Sequence, residues 1–299
     1  MKSTNTPVRS NPMAFEELEG RKLFSAALSA GLLAVNGSAG NDQIQIYKSY
    51  GPTFTNVTVR ENGVTTGSFS VGTVMCISVY GNDGNDTIAI GSDIDCRATV
   101  EGGAGDDTLY SGSGNDIIRG GDGNDYANGG SGNDFIDGGS GDDSIDGYTG
   151  NDSLLGGDGD DTLTGFHGAD QLFGQGGSDH LRGDDDNDRL FGGDGTDYLF
   201  GGFGDDSLYG DAGTDILHGD DGSDYLTGGS GIDSLDGGDG NDFFHTQDNE
   251  LDYIHGGAGW DTAVVDNKVW WEPGSAQDDW VDVESVTSPK LVASADISK

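Results

Sequence analysis

The chain has 299 residues, of which 56 are glycine, and its 54 acidic against 13 basic residues give a formal net charge of -41. Nucleic acid is an unsuitable partner for such a chain, because binding to phosphates needs clustered Lys and Arg. No stretch of roughly 18 apolar residues is present, which argues against a transmembrane segment. Acidic, glycine-rich composition is typical of disordered chains, so the order of the residues has to decide whether this chain folds.

The first predicted element is a leader or signal segment over residues 1–36. Basic residues at 21 and 22 precede a run of small and apolar residues over 23–35, and Ala39 offers a small-residue cleavage point. These are the length and flanks of the apolar region of a secretory signal. Residues 15–25 also resemble a short leader found on large secreted bacterial proteins, which implies export. The alternative interpretation of this stretch is a short amphipathic helix that caps the fold.

Residues 37–101 are predicted to form an N-terminal β cap. Apolar and polar residues alternate over 43–47, 56–60 and 77–80, as they do in half-buried strands. Asn62-Gly63 is a hairpin-turn signal within this region.

Cys76 and Cys96 are the two cysteines of the chain. Their separation permits a disulfide in an exported protein. Their offsets from the neighbouring repeats equally allow two free thiols on opposite faces.

From residue 102 to residue 245 the sequence divides into sixteen nonapeptides without an insertion or deletion. Position 8 is Leu or Ile in fourteen units, position 1 is Gly except at Ser111, and position 4 is Gly except at Asp186. Position 6 is always aspartate: Asp107, Asp116, Asp125, Asp134, Asp143, Asp152, Asp161, Asp170, Asp179, Asp188, Asp197, Asp206, Asp215, Asp224, Asp233 and Asp242. A disordered chain has no reason to hold such a register, so the pattern predicts a repetitive fold.

Each position of the nonapeptide suits one structural task. Glycines at positions 1, 2 and 4 allow positive φ angles and a tight turn whose carbonyls can point toward one centre. Positions 7 to 9 form a short strand that sends the residue at position 8 to one face and its neighbours to the other. Two turns and two strands complete an 18-residue coil. The pattern therefore predicts an all-β fold, a parallel β-roll or β-helix solenoid with eight coils over residues 102–245 and β caps at both ends.

Residue types that are absent between 102 and 245 support this fold, since there is no Glu, Lys, Pro or Cys. Charge for solubility alone would use Glu as freely as Asp. The exclusive use of the shorter side chain indicates that the carboxylate must stay close to the turn's own carbonyls. Ligation by carboxylate and carbonyl oxygens suits Ca²⁺ better than Zn²⁺ or copper.

These nonapeptides, of the form Gly-Gly-x-Gly-x-Asp-x-apolar-x, resemble those of the repeats-in-toxin (RTX, haemolysin-type) calcium-binding family. The resemblance covers the 144 residues of the sixteen units, with outlying copies at 37–45, 81–89 and 256–264. It implies that each Ca²⁺ lies between successive turns on one edge, held by position-6 carboxylates and turn carbonyls.

The family resemblance assigns the predicted aspartates to particular sites. Asp107 and Asp125 would border one Ca²⁺, and Asp116 and Asp134 one on the opposite edge. Each edge stacks eight turns and encloses seven gaps, which corresponds to about fourteen internal sites. Because a net charge of -41 opposes compaction until cations neutralise it, we expect calcium to drive folding of the roll.

One gap between coils is expected to be the weakest calcium site. The unit that begins at residue 183 lacks the position-4 glycine, and the unit 18 residues before it is also irregular. These units are neighbours on one edge, so the prediction falls on the gap between Asp170 and Asp188.

Residues 246–299 depart from the period and are predicted to form a C-terminal cap over the open end of the solenoid. This region contains Trp270, Trp271 and Trp280. We interpret these tryptophans first as part of the cap, and an aromatic platform for a sugar is the alternative.

Three aromatic residues occupy position 9 at 18-residue spacing, namely Phe173, Phe191 and Tyr209. They are expected to stack as a ladder on one face. Mutual packing is the first interpretation of such a ladder, and a contact surface for a ligand or another chain is the second.

The sequence contains no recognised catalytic motif, since it has neither His-Glu-x-x-His nor Gly-x-Ser-x-Gly. The predicted function is that of a secreted or cell-surface, non-enzymatic calcium-binding protein that folds on Ca²⁺ and has a structural role. Extracellular polysaccharide and other surface components are the candidate partners. The alternatives are a carbohydrate-binding or carbohydrate-active protein of the same family, and a hydrolase with an unrecognised site.

Overall fold

The computed structural model describes residues 25–51, 55–246, 248, 250–265 and 269–272, and this part of the chain contains 27 strands and one 3-10 helix, Val71–Thr73. The strands are, in chain order, β1 (Ser25–Ser29), β2 (Leu32–Asn36), β3 (Gln43–Tyr50), β4 (Thr55–Glu61), β5 (Val64–Ser70), β6 (Cys76–Asp83), β7 (Thr87–Ile90), β8 (Ala98–Ala104), β9 (Thr108–Tyr110), β10 (Ile117–Asp122), β11 (Tyr126–Ser131), β12 (Phe135–Ser140), β13 (Ser144–Thr149), β14 (Ser153–Asp158), β15 (Thr162–His167), β16 (Gln171–Gly177), β17 (His180–Asp185), β18 (Arg189–Gly195), β19 (Tyr198–Phe203), β20 (Ser207–Gly213), β21 (Ile216–Asp221), β22 (Tyr225–Ser230), β23 (Ser234–Asp239), β24 (Phe243–Thr246), β25 (Asp252–Ala258), β26 (Thr262–Val265) and β27 (Val269–Glu272).

The strands belong to two sheets, and successive strands of the roll alternate between them. One sheet has the order β1-β2-β6-β8 and then every second strand to β26; the other runs from β27 through every second strand to β7, followed by β3-β4-β5. Within the roll, neighbouring strands are parallel and pair residues 18 apart, as in Ile118↔Ile136 and Ile145↔Leu163. The predicted all-β, parallel solenoid of 18-residue coils is therefore confirmed.

The interior is filled by one side chain per repeat. Because alternate residues of a strand point to opposite faces, position 8 points inward while positions 7 and 9 point out. In the described residues 102–245, every position-8 side chain is at most 1% exposed: Leu109, Ile118, Ala127, Ile136, Ile145, Leu154, Leu163, Leu172, Leu181, Leu190, Leu199, Leu208, Leu217, Leu226, Leu235 and Phe244. The core of the roll is thus built from the inward side chains of two strand rows, and the buried position-6 aspartates directly precede those strands.

The β architecture begins N-terminally of residue 37, in the stretch that the sequence assigns to a leader. β1 and β2 form an antiparallel hairpin, β2 pairs in parallel with β6, and Leu33 and Val35 are fully buried. Residues 25–36 therefore form strands, in place of the cap helix considered as an alternative. Residues 1–24 lie outside the described part of the chain, and the division of the chain at residues 36, 101 and 245 stays a prediction.

The region 37–101 is made mainly of strands, as the alternation predicts. β3 pairs in parallel with β7 and antiparallel with β4, which in turn pairs with β5. The predicted turn at Asn62-Gly63 joins β4 to β5, and its residues have φ angles of 46° and 79°.

Beyond residue 245 the solenoid continues, but its period changes. β25 and β26 extend the two sheets with paired residues 19 apart, as in Ser234↔Tyr253, and β25 pairs with β27 at a spacing of 17 residues. The strict 18-residue period therefore ends after residue 245, as expected, while the stacking of strands continues. The predicted capping and sugar-platform roles stay open, because they concern side chains outside the described part of the chain, those of Trp270, Trp271 and Trp280.

Glycine at position 1 follows from the close approach of its own aspartate and of the next coil. A Cβ on Gly174 would lie 2.2 Å from Asp179 Oδ2 and 2.6 Å from the carbonyl oxygen of Gly192. Gly176, two residues later, is different, since a Cβ there would meet no atom nearer than 3.9 Å. The same turn thus contains one glycine that the fold requires and one that it does not.

We predict that Gly174→Ala lowers the free energy of unfolding by about 2–4 kcal/mol at saturating calcium, because the added methyl group displaces either the Asp179 carboxylate or the next coil. Gly176→Ala is the matched control and should change it by less than about 0.5 kcal/mol. Chemical denaturation followed by circular dichroism measures both values. Equal losses in the two variants would contradict this explanation of position 1.

Candidate calcium sites

The position-6 aspartates form two hydrogen-bonded rows, the aspartate ladders, one along each edge of the roll. All sixteen lie in the described part of the chain and are at most 4% exposed. Oδ1 of each accepts a hydrogen bond of 2.7–2.9 Å from a backbone N–H of the preceding coil. Asp107 and Asp125 are neighbours on one edge, and Asp116 and Asp134 on the other. The structure therefore brings the predicted residues together in pairs.

Each of the sixteen aspartates forms one rung of a ladder. Its second carboxylate oxygen, Oδ2, is buried and has no hydrogen-bond partner among the described residues. It lies beside a carbonyl of the next coil. The point where a Cβ of Gly120 would lie is 2.2 Å from Asp125 Oδ2 and 2.5 Å from the carbonyl oxygen of Gly138. Burying an anionic oxygen without a partner is costly, so these atoms indicate that a cation belongs at the turns.

Carbonyl oxygens complete the set of possible metal ligands. Within the residues that the structure describes, no group of three or more His, Cys, Asp or Glu side chains is placed to hold a metal ion. A gap between two coils can therefore supply two carboxylates, one from each coil, and its other donors have to be turn carbonyls. Such an all-oxygen set fits the coordination chemistry of Ca²⁺, which accepts six to eight oxygens in flexible geometry.

Burial raises the pKa of the ladder carboxyls. The pKa values of Asp134 and Asp188 rise to about 8, and that of Asp125 to about 7. Desolvation is the main cause, and repulsion from adjacent rungs of the ladder adds to it, while the backbone hydrogen bond to Oδ1 opposes the rise. A nearby cation reverses this effect, because it favours the charged form of each carboxyl.

Both ladders extend past the sixteen predicted aspartates. Asp42 and Asp86 continue one ladder at its N-terminal end, and Asp252 and Asp261 each add a rung at the C-terminal end. Three of these four stand at position 6 of the outlying repeats, so the sequence already contained the signal for them. Asp252 lacks the preceding turn glycines. The sequence feature that it shares with the other aspartates is an inward apolar residue two positions later, Ile254.

Side chains at position 5 form a further set of hydrogen bonds between coils, the position-5 ladders, which were not predicted from the sequence. Oδ1 of Asn115 accepts the backbone N–H of Asn133 at 3.1 Å, and Oδ1 of Asn133 accepts that of Asn151 at 3.1 Å. On the other edge, Asp106 and Asn124 make the same contacts. Asp or Asn occupies position 5 in ten of the sixteen units, and this bias is the signal that identifies the ladder.

The gap between Asp170 and Asp188 has a regular ladder but an irregular turn. The ladder bond, from the N–H of Asp170 to Asp188 Oδ1, is 2.7 Å long, as elsewhere. In the turns, the bond from Gly168 N–H to the carbonyl of Asp185 is 3.3 Å, against 2.8 Å for the equivalent bond from Gly132 N–H. The prediction that this gap binds calcium most weakly is untested and stays a prediction.

The predicted aromatic ladder is present. Ring centroids are 4.9 Å apart for Phe173 and Phe191 and 4.7 Å for Phe191 and Tyr209, with interplanar angles of 4° and 6°. Tyr225 meets Tyr209 at a tilt of 43° and stacks on Phe243 at 11°. Because Phe173, Phe191 and Tyr209 stack face to face, these three rings use their faces for mutual packing.

A surface groove of about 520 Å³ lies on the other sheet, lined by Phe166, His167, Arg182, Asp184, Asp185, Phe200, Gly202, Phe203, Asp220 and Asp221. Phe203 is 62% exposed, so its ring contributes open apolar surface to an otherwise polar groove. His167 and Asp185 are paired at 2.6 Å, and Arg182 is paired with Asp184.

Cys76 and Cys96 are free, half-buried thiols in this structure. They lie near each other across neighbouring coils, since Ile77 N–H donates to the carbonyl of Arg97 at 3.1 Å. Burial raises the pKa of the Cys96 thiol.

The described part of the chain contains no helix that is long and apolar enough to span a membrane.

We predict that the calcium-free protein gains β structure on acidification. Burial raises the pKa of all sixteen predicted aspartates above the ordinary value of 3.8, and for fourteen of them the pKa in the folded state is about 6 to about 8. Their protonation therefore stabilises the folded state fully below about pH 4, and this contribution is lost as the pH rises through about 6 to 8. Circular dichroism of metal-free protein at about pH 5 should show more β structure than at about pH 7.5. An unchanged or weaker β signal at the lower pH would contradict the burial of ionisable carboxyls.

The comparisons with known proteins agree with this geometry. The model of the RTX calcium-binding nonapeptide repeat matches residues 78–95, a continuous set of overlapping matches over 99–248, and 251–265. No curated protein matches the chain. The matched segments comprise more than half of the chain and include all sixteen predicted aspartates. The chain belongs to the family of RTX calcium-binding nonapeptide repeat proteins.

Proposed function

We propose that calcium binding and folding of the roll are one process, in which the chain is extended without calcium and forms the solenoid when Ca²⁺ enters the gaps between coils. The observation that carries this proposal is the row of buried Oδ2 atoms without hydrogen-bond partners in the described residues. A metal-free solenoid with ionised aspartates would leave all of them uncompensated, which is unfavourable.

Each Ca²⁺ would lie between the position-6 carboxylates of two successive coils on one edge. The sixteen aspartates from Asp107 to Asp242 border seven gaps per edge, so about fourteen ions are expected in the sixteen units. Oδ1 of each rung keeps the coils in register by accepting a backbone N–H, which leaves Oδ2 and the turn carbonyls for the ion.

The charge of the chain supports the same coupling. At a net charge of -41, repulsion opposes the compact state. About fourteen Ca²⁺ ions would contribute about +28 and remove most of this repulsion. A site with a Kd of about 0.1 mM adds roughly 1.4 kcal/mol of stability in 1 mM calcium. Over many sites this sum exceeds the usual stability of a folded domain, about 5–15 kcal/mol.

We infer that the protein is secreted or held at the cell surface, with a structural role and without catalytic activity. Calcium is scarce inside cells, so the roll would stay extended there, and it would fold on reaching millimolar calcium outside. The family supports this inference, because its repeats are a calcium-binding structural unit and its members are typically exported. A hydrolytic activity located elsewhere in the chain is the alternative.

Carbohydrate binding is a second hypothesis, with extracellular polysaccharide as the partner. The aromatic ladder gives it little support, because the faces of Phe173, Phe191 and Tyr209 are stacked on one another, and sugars pack on ring faces. The groove beside Phe203 is the better location among the described residues, since it combines an exposed ring with carboxylates and an arginine.

We predict opposite effects of Asp143→Asn in the presence and absence of calcium. In 1 mM calcium the variant should lose about 3 kcal/mol of unfolding free energy, because Asp143 borders two gaps that each contribute roughly 1.4 kcal/mol. In chelator it should show more β structure than the wild type, because asparagine removes a buried charge and keeps an oxygen that can accept the ladder bond. Chemical denaturation and far-ultraviolet circular dichroism measure the two effects.

Asp158→Asn is the matched control, since it removes the same charge from an exposed position-3 residue. It should change the unfolding free energy by less than about 0.5 kcal/mol in either condition. The proposal fails if the wild type is already fully β-structured in chelator at neutral pH, or if Asp143→Asn is destabilising to the same extent with and without calcium.

A further inference from the structure

The N-terminal end of one aspartate ladder is closed by a residue from outside the repeats. Asp42 is the first rung of this ladder in the described part of the chain, and Asn62 replaces the coil that would precede it. Nδ2 of Asn62 donates to Asp42 Oδ1 at 2.9 Å, as the backbone N–H of Asp42 donates to Asp86 Oδ1 at 2.7 Å. Oδ1 of Asn62 accepts the N–H of Gln43 at 2.8 Å, as the carbonyl of Asp42 accepts that of Thr87 at 2.8 Å. The side-chain amide of Asn62 therefore imitates the backbone of a missing rung.

Asp42 differs from the next aspartate of the ladder, Asp86, in its second carboxylate oxygen. Oδ2 of Asp42 accepts hydrogen bonds from the N–H of Ser38 at 2.6 Å and from the Ser38 hydroxyl at 3.1 Å. In the next rung, Oδ2 of Asp86 has no hydrogen-bond partner among the described residues. The carboxylate of the first rung is thus satisfied by neighbouring donors.

An unsatisfied carboxylate at this end of the roll belongs to Glu61, the residue before Asn62. Glu61 is 1% exposed, and neither of its carboxylate oxygens has a hydrogen-bond partner among the described residues. It pairs across the strands with Ile44, which is fully buried, so its side chain points into the interior of the roll. Asp42 precedes Ile44 by two residues and shares its face, which makes Asp42 and Glu61 diagonal neighbours within reach of each other.

The surroundings of Glu61 contain negative charge and no compensating ion pair. None of the ion pairs among the described residues includes Glu61. Burial raises the pKa of its carboxyl, the charge of Asp42 raises it further, and the nearby Thr66 hydroxyl opposes the rise without the geometry of a full hydrogen bond. A side chain in this position is either protonated or neutralised by a cation from solution.

We propose that Glu61 is a ligand of a terminal Ca²⁺ site, with the Asp42 carboxylate beside it, at the N-terminal end of this edge. The site lies outside the nonapeptide pattern. Glu61 supplies its two unsatisfied carboxylate oxygens, and the Asp42 carboxylate adds negative charge beside them. Asn62 then has a positioning role, because it orients Asp42 while Glu61 contacts the ion. The hairpin of β4 and β5 becomes a calcium-dependent cap on the first coil. This inference rests on the proposed function, since it takes the ion to be the one that folds the roll.

Selective ¹³C labelling of glutamate carboxyls tests the site in the intact chain. The roll between 102 and 245 has no glutamate, and the whole chain has eight, so the spectrum is free of signals from the aspartates. We expect the Glu61 resonance of the calcium-bound protein to have the chemical shift of an ionised carboxylate at neutral pH. It should move when La³⁺, a diamagnetic ion that also prefers oxygen ligands, replaces Ca²⁺. Glu250 is the matched control, because its side chain is exposed and its resonance should stay in place.

Glu61→Gln assigns the resonance, and if this variant does not fold, glutamine replacements at the other seven glutamates assign it by elimination. A Glu61 resonance with the shift of a protonated carboxyl in saturating calcium would overturn the inference. So would an ionised resonance that does not respond to La³⁺. Circular dichroism of the same samples reports whether the roll has folded with calcium, so a failure at Glu61 is distinguishable from a failure of the proposed function.

Discussion

A carboxylate buried at every ninth residue is the constraint on which this solenoid depends. Each one must lie close enough to the preceding coil for Oδ1 to accept a backbone N–H from it, as Asp143 does from Asp125 at 2.8 Å. That closeness favours glycine at position 1, where a Cβ would fall 2.1–2.6 Å from Oδ2 of the unit's own aspartate. Ser111 is the exception among the sixteen units, and its buried hydroxyl donates to the carbonyl of Gly129 at 2.7 Å. It also excludes glutamate, whose longer side chain would carry the carboxylate away from the turn. The nonapeptide pattern therefore follows from the requirements of a stacked, buried row of carboxylates.

At the N-terminal end of each row, the first aspartate has no preceding repeat to donate a hydrogen bond to it. Residues outside the repeats supply this donor instead. On one edge, Asn62 supplies the donor and the acceptor that a preceding rung would have supplied. On the other edge, the N–H of Ala98 donates to Asp116 Oδ1 at 2.7 Å, so a backbone without a carboxylate begins the ladder. Both solutions give Oδ1 of the first aspartate a hydrogen-bond donor. They differ in that a buried carboxylate, Glu61, accompanies the first.

Periodicity made most of the fold predictable. The inward position 8, the 18-residue coil and the sixteen ladder aspartates all follow from a pattern repeated without interruption, and the aromatic stacking follows from the same 18-residue spacing. What could not be predicted lies where the period is broken. Asp252 has no turn glycines before it, so the repeat pattern does not identify it as part of the ladder. Residues 25–36 are small and apolar, which is compatible both with a secretory signal and with the strands that they form. The role of Asn62 depends on a contact between a hairpin turn and the first coil, which no local pattern encodes.

The position-5 ladder shows a different limit. Its bias toward Asp and Asn is visible in the sequence, but turns favour these residues for many reasons. Only the structure shows that each side-chain oxygen accepts an N–H from the following coil. The position-6 and position-5 contacts run in opposite directions along the roll. The position-6 carboxylate accepts a backbone N–H of the preceding coil, whereas the position-5 side chain accepts one of the following coil. Together they tie each turn to both of its neighbours, apart from ladder breaks such as Ala169, which has no side-chain acceptor.

Anomalous diffraction shows whether the buried Oδ2 atoms are calcium ligands. Crystals are grown in calcium, and data are recorded at a wavelength where calcium scatters anomalously. We expect two rows of anomalous peaks, one along each edge, with a peak between successive position-6 carboxylates and within about 2.3–2.6 Å of their Oδ2 atoms. A folded roll with water or direct hydrogen bonds at Oδ2, and without peaks along the edges, would contradict this expectation.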